Sequence, residues 1–323
     1  MQLVFMGTPE FAVPSLYALD KAGHQVLAVV TQPDRPSGRG RKLRPSPVKQ
    51  AALDLSLPLY QPEKVKEPQW LTQFTASFKP QVVVVVAFGQ ILPQAILAWP
   101  GKGCINVHAS LLPHYRGAAP IQRAVMNGET KTGITTMLME EGLDSGPMLL
   151  QTAIEISPQD TGGEIHDRLS LLGADLLVET LNQWEKGQLV PQPQDNTQST
   201  YAAMLHAEDE RIDWGNPAIK IYNQVRGLHP WSGGRTLWGD KILKIWRTQM
   251  LDQEVISNEI EQGNTVPPGT VLKAEPNALW VSTGTVPLSI QELQLQGGKR
   301  LPSIDFLRGN PIEIGTCWGD VRG

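Results

Sequence analysis

Short apolar runs alternate with helix-like stretches along the first part of the chain. The runs at 3–6 and 25–30 predict buried strands, and Thr8 is placed to cap a helix after the first of them. The run at 82–87, five valines and an alanine, is typical of a strand covered on both faces. With another strand predicted at 103–107, this alternation predicts an α/β fold with a doubly wound, mainly parallel sheet.

Beyond this region the pattern changes. Residues 132–139 and 148–156 predict two strands on either side of a glycine-containing bend, and residues 163–184 predict a long helix. The stretch 187–200 is polar, carries prolines and has no apolar periodicity. We therefore interpret it as a linker between two domains.

The sequence after this stretch is β-rich. Runs with turn residues at 235–247 and 270–295 predict a small barrel, and residues 217–227 predict one helix. Single cores rarely grow beyond about 250–300 residues, so a length of 323 residues favours two domains. We predict an α/β domain at 1–200 and a smaller β-barrel domain at 201–323.

Composition narrows the class of protein. No apolar run approaches the ~20 residues that span a bilayer, and no basic segment precedes an apolar one at the N-terminus. Two cysteines, Cys104 and Cys317, are too few for a disulfide framework or a thiolate metal site. The histidines lack ligand spacing, so we expect no metal. We expect a cytoplasmic protein without a membrane segment.

The distribution of charge changes this picture at one place. A net charge of -4 argues against indiscriminate binding to a polyanion. The total conceals the segment 35–49, which has no acidic residue but contains Arg35, Arg39, Arg41, Lys42, Arg44 and Lys49. We call residues 34–49 the basic loop and expect any polyanion to bind there.

The most unusual chemistry lies around Asn106 and His108. Positions two apart in a strand share a face, so both side chains can point into one crevice. A carboxamide can stabilise an oxyanion, and an imidazole can donate a proton near neutral pH, which suits carbonyl chemistry. On spacing alone, a hydrogen-bonded histidine at a strand end with Asn106 in a turn is the slightly favoured interpretation.

Three carboxylates, Glu140, Glu141 and Asp144, lie in the glycine-containing bend. Asp144 is the best candidate to reach His108 and hold its imidazolium charged. A solvated acidic turn remains the alternative. Ser110 could complete a hydrolase triad, but the chain has no Gly-x-Ser-x-Gly elbow. Dinucleotide and phosphate-loop glycine motifs are also missing from the sequence.

Four segments together carry a resemblance to a known family. They are Asn106-Val107-His108, Ser110-Leu111-Leu112-Pro113, Arg116-Gly117-Ala118-Ala119-Pro120-Ile121 and Leu143-Asp144-Ser145-Gly146. The combined motif resembles the formyltransferases that use 10-formyltetrahydrofolate. The resemblance implies a Rossmann-like catalytic domain, an OB-like C-terminal barrel, and Asn106, His108 and Asp144 as catalytic residues.

Segments outside the core motif indicate the acceptor. Residues 5–12, 31–36 and 45–48 and the extra C-terminal domain resemble the branch of the family that formylates the α-amino group of initiator methionyl-tRNA for translation initiation. A nucleotide amine or an amino sugar is the alternative acceptor, and the basic loop argues against it. A non-catalytic RNA-binding protein with a degenerate folate fold is a further alternative, and the intact catalytic positions argue against it. A monomer is expected.

The resemblance also implies two binding surfaces. The formylfolate is expected to lie against Ser110, Leu111, Leu112 and Pro113, with further contacts from Phe88, Gly89, Ile91, Leu92 and Glu140. In the basic loop, Arg35, Arg39, Arg41, Lys42 and Arg44 are expected to contact phosphates of the tRNA acceptor stem. A solvated, partly disordered loop is the alternative.

Overall fold

A computed structural model of the chain describes residues 1–37, 42–259 and 266–319. The chain divides into two compact units. The first consists of residues 1–120, 131–155 and 166–202. The second consists of residues 121–130, 156–165 and 203–323.

The first unit is built on a central sheet with helices. Its strands are β1 (Gln2–Gly7), β2 (Gln25–Val30), β3 (Arg35–Ser37), β4 (Lys42–Arg44), β5 (Leu59–Tyr60), β6 (Val82–Val86), β7 (Cys104–His108), β8 (Arg116–Gly117), β9 (Lys131–Leu138), β10 (Met148–Glu155) and β11 (Tyr201–Ala202). The helices of this unit are α1 (Val13–Lys21), α2 (Pro47–Asp54), α3 (Pro68–Ser77), α4 (Gln94–Leu97) and most of α6 (Gly162–Glu185), whereas α5 (Pro120–Met126) belongs, apart from Pro120, to the second unit.

The central sheet has seven strands in the order β10-β9-β7-β6-β1-β2-β5. The neighbouring pairs β5–β2, β2–β1, β1–β6 and β6–β7 are parallel. Strand β9 is antiparallel to both β7 and β10. Every residue of β6 is buried, as its run of valines predicts for a central strand. The predicted α/β fold with a mainly parallel sheet is confirmed.

Local capping chemistry explains where the elements near the site begin. Helix α2 starts at Pro47, and the N-cap Ser46 accepts a hydrogen bond from the Lys49 N–H at 3.0 Å. The expectation that Thr8 caps a helix is wrong. Its hydroxyl instead donates to the carbonyl of Phe88 at 2.9 Å, which ties the end of β1 to the end of β6.

The second unit is an antiparallel sheet with its own core. Its strands are β12 (Gly234–Trp238), β13 (Lys241–Met250), β14 (Val271–Glu275), β15 (Ala278–Val281), β16 (Leu288–Leu295) and β17 (Leu301–Pro302), and its helices are α7 (Ala218–Leu228), α8 (Gln253–Glu259) and α9 (Ser303–Gly309). The sheet order is β12-β13-β16-β15-β14. Cys317 bridges to Thr270 beside β14 and Gly319 bridges to Leu237 on β12, so the chain end closes the sheet into a barrel around the buried Trp318.

Across residues 1–37, 42–259 and 266–319, no helix is long and apolar enough to cross a membrane.

Removing a core side chain from β7 should destabilise the first unit. Ile105 is fully buried between neighbouring strands, and replacing a buried isoleucine with alanine typically costs about 2–5 kcal/mol. We expect Ile105→Ala to lower the urea midpoint of this unit clearly. Val190→Ala is the control, because Val190 is 73% exposed. Equal midpoints for the two variants would contradict this assignment of the core.

Candidate active site

Strand β7 presents two polar side chains on one face. Asn106 and His108 are two residues apart in a regular strand, so their side chains point the same way. His108 is only 6% exposed, while Asn106 is half-buried. Cys104 has the same orientation, but burial raises the pKa of its thiol to about 12, so it stays a neutral thiol near pH 7. The reactive face of β7 is therefore an amide beside an imidazole.

Asp144 reaches this face from the connection between β9 and β10. Since Ile105 pairs with Leu138, this connection leaves β9 near the start of β7. It folds back over the strand, because Asp144 Oδ2 lies 3.6 Å from His108 Nδ1 and Asp144 Oδ1 lies 3.5 Å from Asn106 Nδ2. The structure thus brings the three side chains named from the sequence to one place.

The hydrogen bonds of His108 identify the ring nitrogen that faces the site. Nε2 lies 2.9 Å from the carbonyl oxygen of Tyr115. A carbonyl only accepts, so Nε2 carries a proton and the neutral ring has a bare Nδ1 towards Asp144. A second proton at Nδ1 gives an imidazolium that pairs with Asp144 and can donate to a substrate oxygen.

The Asp144 carboxylate has one strong donor besides its His108 partner. The side chain is 14% exposed, and Oδ2 accepts the backbone N–H of Gly117 at 2.9 Å. A buried carboxylate needs such donors, because water no longer solvates it. Gly117 had not been singled out for this role from the sequence, since a backbone donor has no residue-type signature.

Hydrogen bonds from the sheet hold the loop that follows β7. Thr135, fully buried on β9, donates through Oγ1 to the carbonyl of Ser110 at 2.7 Å and accepts the N–H of Leu112 at 3.1 Å. Gln151 on β10 donates to the carbonyl of Leu112 at 2.8 Å. The Ser110 hydroxyl itself donates to the carbonyl of His114 at 2.6 Å. Ser110 therefore shapes the loop and is not presented as a nucleophile.

The residues expected to contact the folate differ in exposure. Ser110, Leu112, Phe88 and Leu92 are buried, whereas Leu111, Pro113, Gly89, Ile91 and Glu140 are partly or fully exposed. Ile91 is 90% exposed, and Leu143, beside Asp144, is 59% exposed. Loops that present large apolar side chains and fixed backbone polar groups fit a flat heteroaromatic ring such as a pterin.

Unfavourable backbone conformations concentrate in these loops. Among the described non-glycine residues, φ is positive at Ser56 and at three positions near the site: Ala87 (45°), Tyr115 (58°) and Asp144 (49°). Such conformations cost energy and persist where the surrounding contacts enforce them, often at functional sites. Here they determine the positions of the Asp144 carboxylate and of the Tyr115 carbonyl, which orients His108.

The base of the basic loop is fixed by side-chain contacts. Lys49 Nζ lies 2.8 and 2.9 Å from the two carboxylate oxygens of Asp34, and Gln61 donates to the same carboxylate at 2.8 Å. These hydrogen bonds, with that from Lys49 the largest contribution, hold the pKa of Asp34 below its usual value. Within the same loop, strands β3 and β4 form an antiparallel pair.

The predicted tRNA-contacting residues are distributed along this loop. Arg35 pairs with Glu63 at 3.3 Å on the surface, and Arg44 is exposed. Lys42 belongs to β4, while Arg39 and Arg41 lie outside the described residues. Among the described residues, no group of His, Cys, Asp and Glu could hold a metal ion.

Comparisons with known proteins agree with this architecture. Residues 1–181 match the family model for formyl transferase, and residues 204–311 match that for the formyl transferase C-terminal domain. An N-formyltransferase from Helicobacter canadensis, solved with folinic acid and dTDP-3-aminofucose, aligns over 89% of this chain and 98% of its own, with a TM-score of 0.66 and 17% identity. HypX from Aquifex aeolicus, solved with tetrahydrofolic acid, aligns over 95% of this chain and 46% of its own, with a TM-score of 0.62 and 17% identity. These likenesses establish the fold.

The fold and the site thus define a formyl transferase. A methionyl-tRNA formyltransferase of Pelotomaculum thermopropionicum is 53% identical over 321 residues, covering 99% of both chains. That of Geobacter sulfurreducens is 47% identical over 321 residues, covering 99% of this chain and 98% of its own. The chain belongs to the methionyl-tRNA formyltransferase family, which confirms the resemblance carried by the sequence motif.

A side chain at Gly146 should disturb the site. A Cβ there would lie 1.9 Å from the carbonyl oxygen of Leu138, so the loop carrying Asp144 would have to move. We expect Gly146→Ala to lower kcat in a formyl-transfer assay about 100-fold, because a shift near 1 Å can cost that much. Gly101→Ala should leave kcat unchanged, since a Cβ at Gly101 meets nothing within 4 Å. Similar kcat values for both variants would contradict this role.

Proposed function

We propose that this chain transfers the formyl group of 10-formyltetrahydrofolate to the α-amino group of methionine esterified to initiator tRNA. The product is formylmethionyl-tRNA, which serves translation initiation. The observation that carries the proposal is the convergence of Asn106, His108 and Asp144 in a chain that matches methionyl-tRNA formyltransferases over nearly its whole length.

The three side chains suit the attack of an amine on a formyl carbon. Bound formyltetrahydrofolate supplies that carbon and its oxygen. The Asn106 amide and the protonated Nδ1 of His108 would donate to this oxygen as it gains negative charge. Asp144 would pair with the imidazolium and position a water. That water would take the proton that the attacking amine loses and deliver it to the folate nitrogen, whose bond to the formyl carbon breaks as the formyl group is transferred. No covalent intermediate with the enzyme is required.

The basic loop would contact the acceptor stem of the tRNA. At the base of the loop, Lys49 is already paired with Asp34, and Arg35 is already paired with Glu63. The remaining cations, Arg39, Arg41, Lys42 and Arg44, would bind phosphates, which gives affinity without base specificity. This division favours a tRNA over a small nucleotide-linked amine, because a small acceptor does not need a row of phosphate-binding residues.

The alternatives are less well supported. Sugar N-formyltransferases share the fold at 18% identity, whereas relatives near 50% identity are named methionyl-tRNA formyltransferases. A degenerate RNA-binding protein would not need the Asn106–His108–Asp144 cluster. We propose a cytoplasmic enzyme that acts as a single chain, because one chain supplies all three groups.

An acceptor assay tests the reaction. Purified protein with 10-formyltetrahydrofolate should formylate methionyl-tRNA, and His108→Ala should lower kcat at least about 100-fold by removing an oxyanion donor. Unchanged urea unfolding would show that the variant is folded. Formylation of only a nucleotide-linked amine would overturn the tRNA assignment, and tRNA binding without formylation would favour the non-catalytic alternative.

A pair of charge-matched variants tests the basic loop. Arg41→Ala combined with Lys42→Ala should raise the KM for methionyl-tRNA and flatten its salt dependence, because fewer counterions are released on binding. Lys21→Ala combined with Lys79→Ala removes the same charge from exposed positions that precede β2 and β6, at the amino ends of the parallel strands. This control should leave the KM unchanged. Equal KM values for the two double variants would favour the alternative that the loop is solvated and does not contact the tRNA.

A further inference from the structure

The stretch 187–200, interpreted from sequence as a linker, contributes a side chain to the catalytic loop. Gln194 is half-buried, and its Nε2 donates to the carbonyl of Asp144 at 2.9 Å and to that of Gly146 at 2.7 Å. Both N–H groups of one amide therefore hold the backbone on either side of Ser145. This contact fixes the turn from which the Asp144 carboxylate projects.

The oxygen of the same amide is held by Arg116. Gln194 Oε1 accepts from Arg116 Nε at 2.9 Å and from Arg116 Nη2 at 2.6 Å. Nη2 also donates to Asn196 Oδ1 at 2.8 Å. A guanidinium presents these donors in a fixed plane, so the Gln194 amide has one favoured orientation, with its N–H groups towards the Asp144 loop.

Arg116 also precedes the residue that holds the Asp144 carboxylate. The N–H of Gly117 donates to Asp144 Oδ2 at 2.9 Å. Gln194 thus connects the two segments that determine where the carboxylate lies, the backbone of Asp144 itself and the strand that carries its donor. Asp144 has a φ of 49°, a conformation that needs such external support.

The backbone around Gln194 is itself anchored at both ends. Gln192 and Met148 exchange two backbone hydrogen bonds of 2.8 Å, which attach the stretch to the start of β10. Further along, β11 pairs in parallel with β8, with Tyr201 beside Arg116. Gln194 lies between these attachments, so its side chain needs little ordering to reach both partners.

We propose that Gln194, oriented by Arg116, is a positioning residue for Asp144. This inference rests on the proposed function for its kinetic consequence. Without the amide, the Asp144 turn would relax and its carboxylate would leave the place where it faces His108 Nδ1. Displacements near 1 Å in an active site can cost about 100-fold in rate.

The kinetic test compares two glutamines of the same stretch. Gln194→Ala should lower kcat about 10- to 100-fold while the KM for methionyl-tRNA and formylfolate stays within about twofold, because orientation rather than binding is lost. Gln192→Ala is the matched control, since the Gln192 side chain is exposed and donates to the carbonyl of Val190, two residues away, at 3.2 Å. Gln194→Glu should not rescue kcat, because a carboxylate keeps the bond to Arg116 but loses both donors. Wild-type kcat in Gln194→Ala would overturn the proposal.

A double-mutant cycle distinguishes positioning of Asp144 from a general structural role. In single-turnover formylation, adding Gln194→Ala to Asp144→Ala should change the rate by less than about twofold, because Gln194 then has no carboxylate to position. A full, additive loss in the Asp144→Ala background would overturn the inference. An inactive wild-type chain would instead refute the proposed function.

Hydrogen exchange provides a measurement that does not depend on activity. In Gln194→Ala, backbone amides of residues 140–146 should exchange faster than in the wild type, and faster than in Gln192→Ala, because the turn opens more often. Exchange in β6 and β7 should stay unchanged. Equal exchange of residues 140–146 in the two variants would overturn the proposal even if the acceptor of the enzyme were a different amine.

Discussion

The site depends on keeping a carboxylate desolvated above the face of β7. Asp144 is 14% exposed and His108 is 6% exposed, so water solvates neither group well. A buried carboxylate is stable only where donors and an opposite charge replace water. The Gly117 N–H donates to Oδ2 at 2.9 Å, and the His108 ring nitrogen Nδ1 lies 3.6 Å from the same oxygen. The Asn106 amide lies beside this pair, with Nδ2 3.5 Å from Asp144 Oδ1, so the face of β7 carries an amide donor next to the imidazole.

This constraint accounts for much of the surrounding loop structure. The Tyr115 carbonyl keeps a proton on Nε2 of His108, so that Nδ1 faces the carboxylate. Tyr115 and Asp144 both adopt positive φ, which is uncommon for non-glycine residues, although an aspartate tolerates it better than a tyrosine. Their conformations are enforced by partners distant in sequence, including Thr200, whose hydroxyl accepts the N–H of Tyr115 at 2.8 Å. The strain of the loops is thus balanced by hydrogen bonds from a segment that follows the long helix α6.

Periodic features were predictable from the sequence, and single polar contacts were not. The valines of β6, the alternation in β7 and the Ser46-Pro47 start of α2 follow from local rules, and the structure contains these elements. The interpretation of residues 187–200 as a linker missed their contact with the catalytic loop. A glutamine whose amide binds backbone carbonyls produces no periodic pattern of apolar residues in the sequence. Its partners at 144 and 146 come close only in the tertiary structure. Thr8 was misassigned for a related reason, because a tertiary acceptor, the Phe88 carbonyl, competes with the local cap.

The cations of the basic loop differ in whether they already have an acidic partner. Lys49 is paired with Asp34 in a partly buried ion pair, which fixes the base of the loop, whereas the Arg35–Glu63 pair lies on the surface and contributes little. Strands β3 and β4, which follow in the same loop, pair in antiparallel fashion from Arg35 opposite Arg44 to Ser37 opposite Lys42. Exposed charges act over about a Debye length, roughly 8–10 Å in physiological salt. A net charge of -4 therefore does not by itself exclude attraction of a polyanion to a locally basic segment.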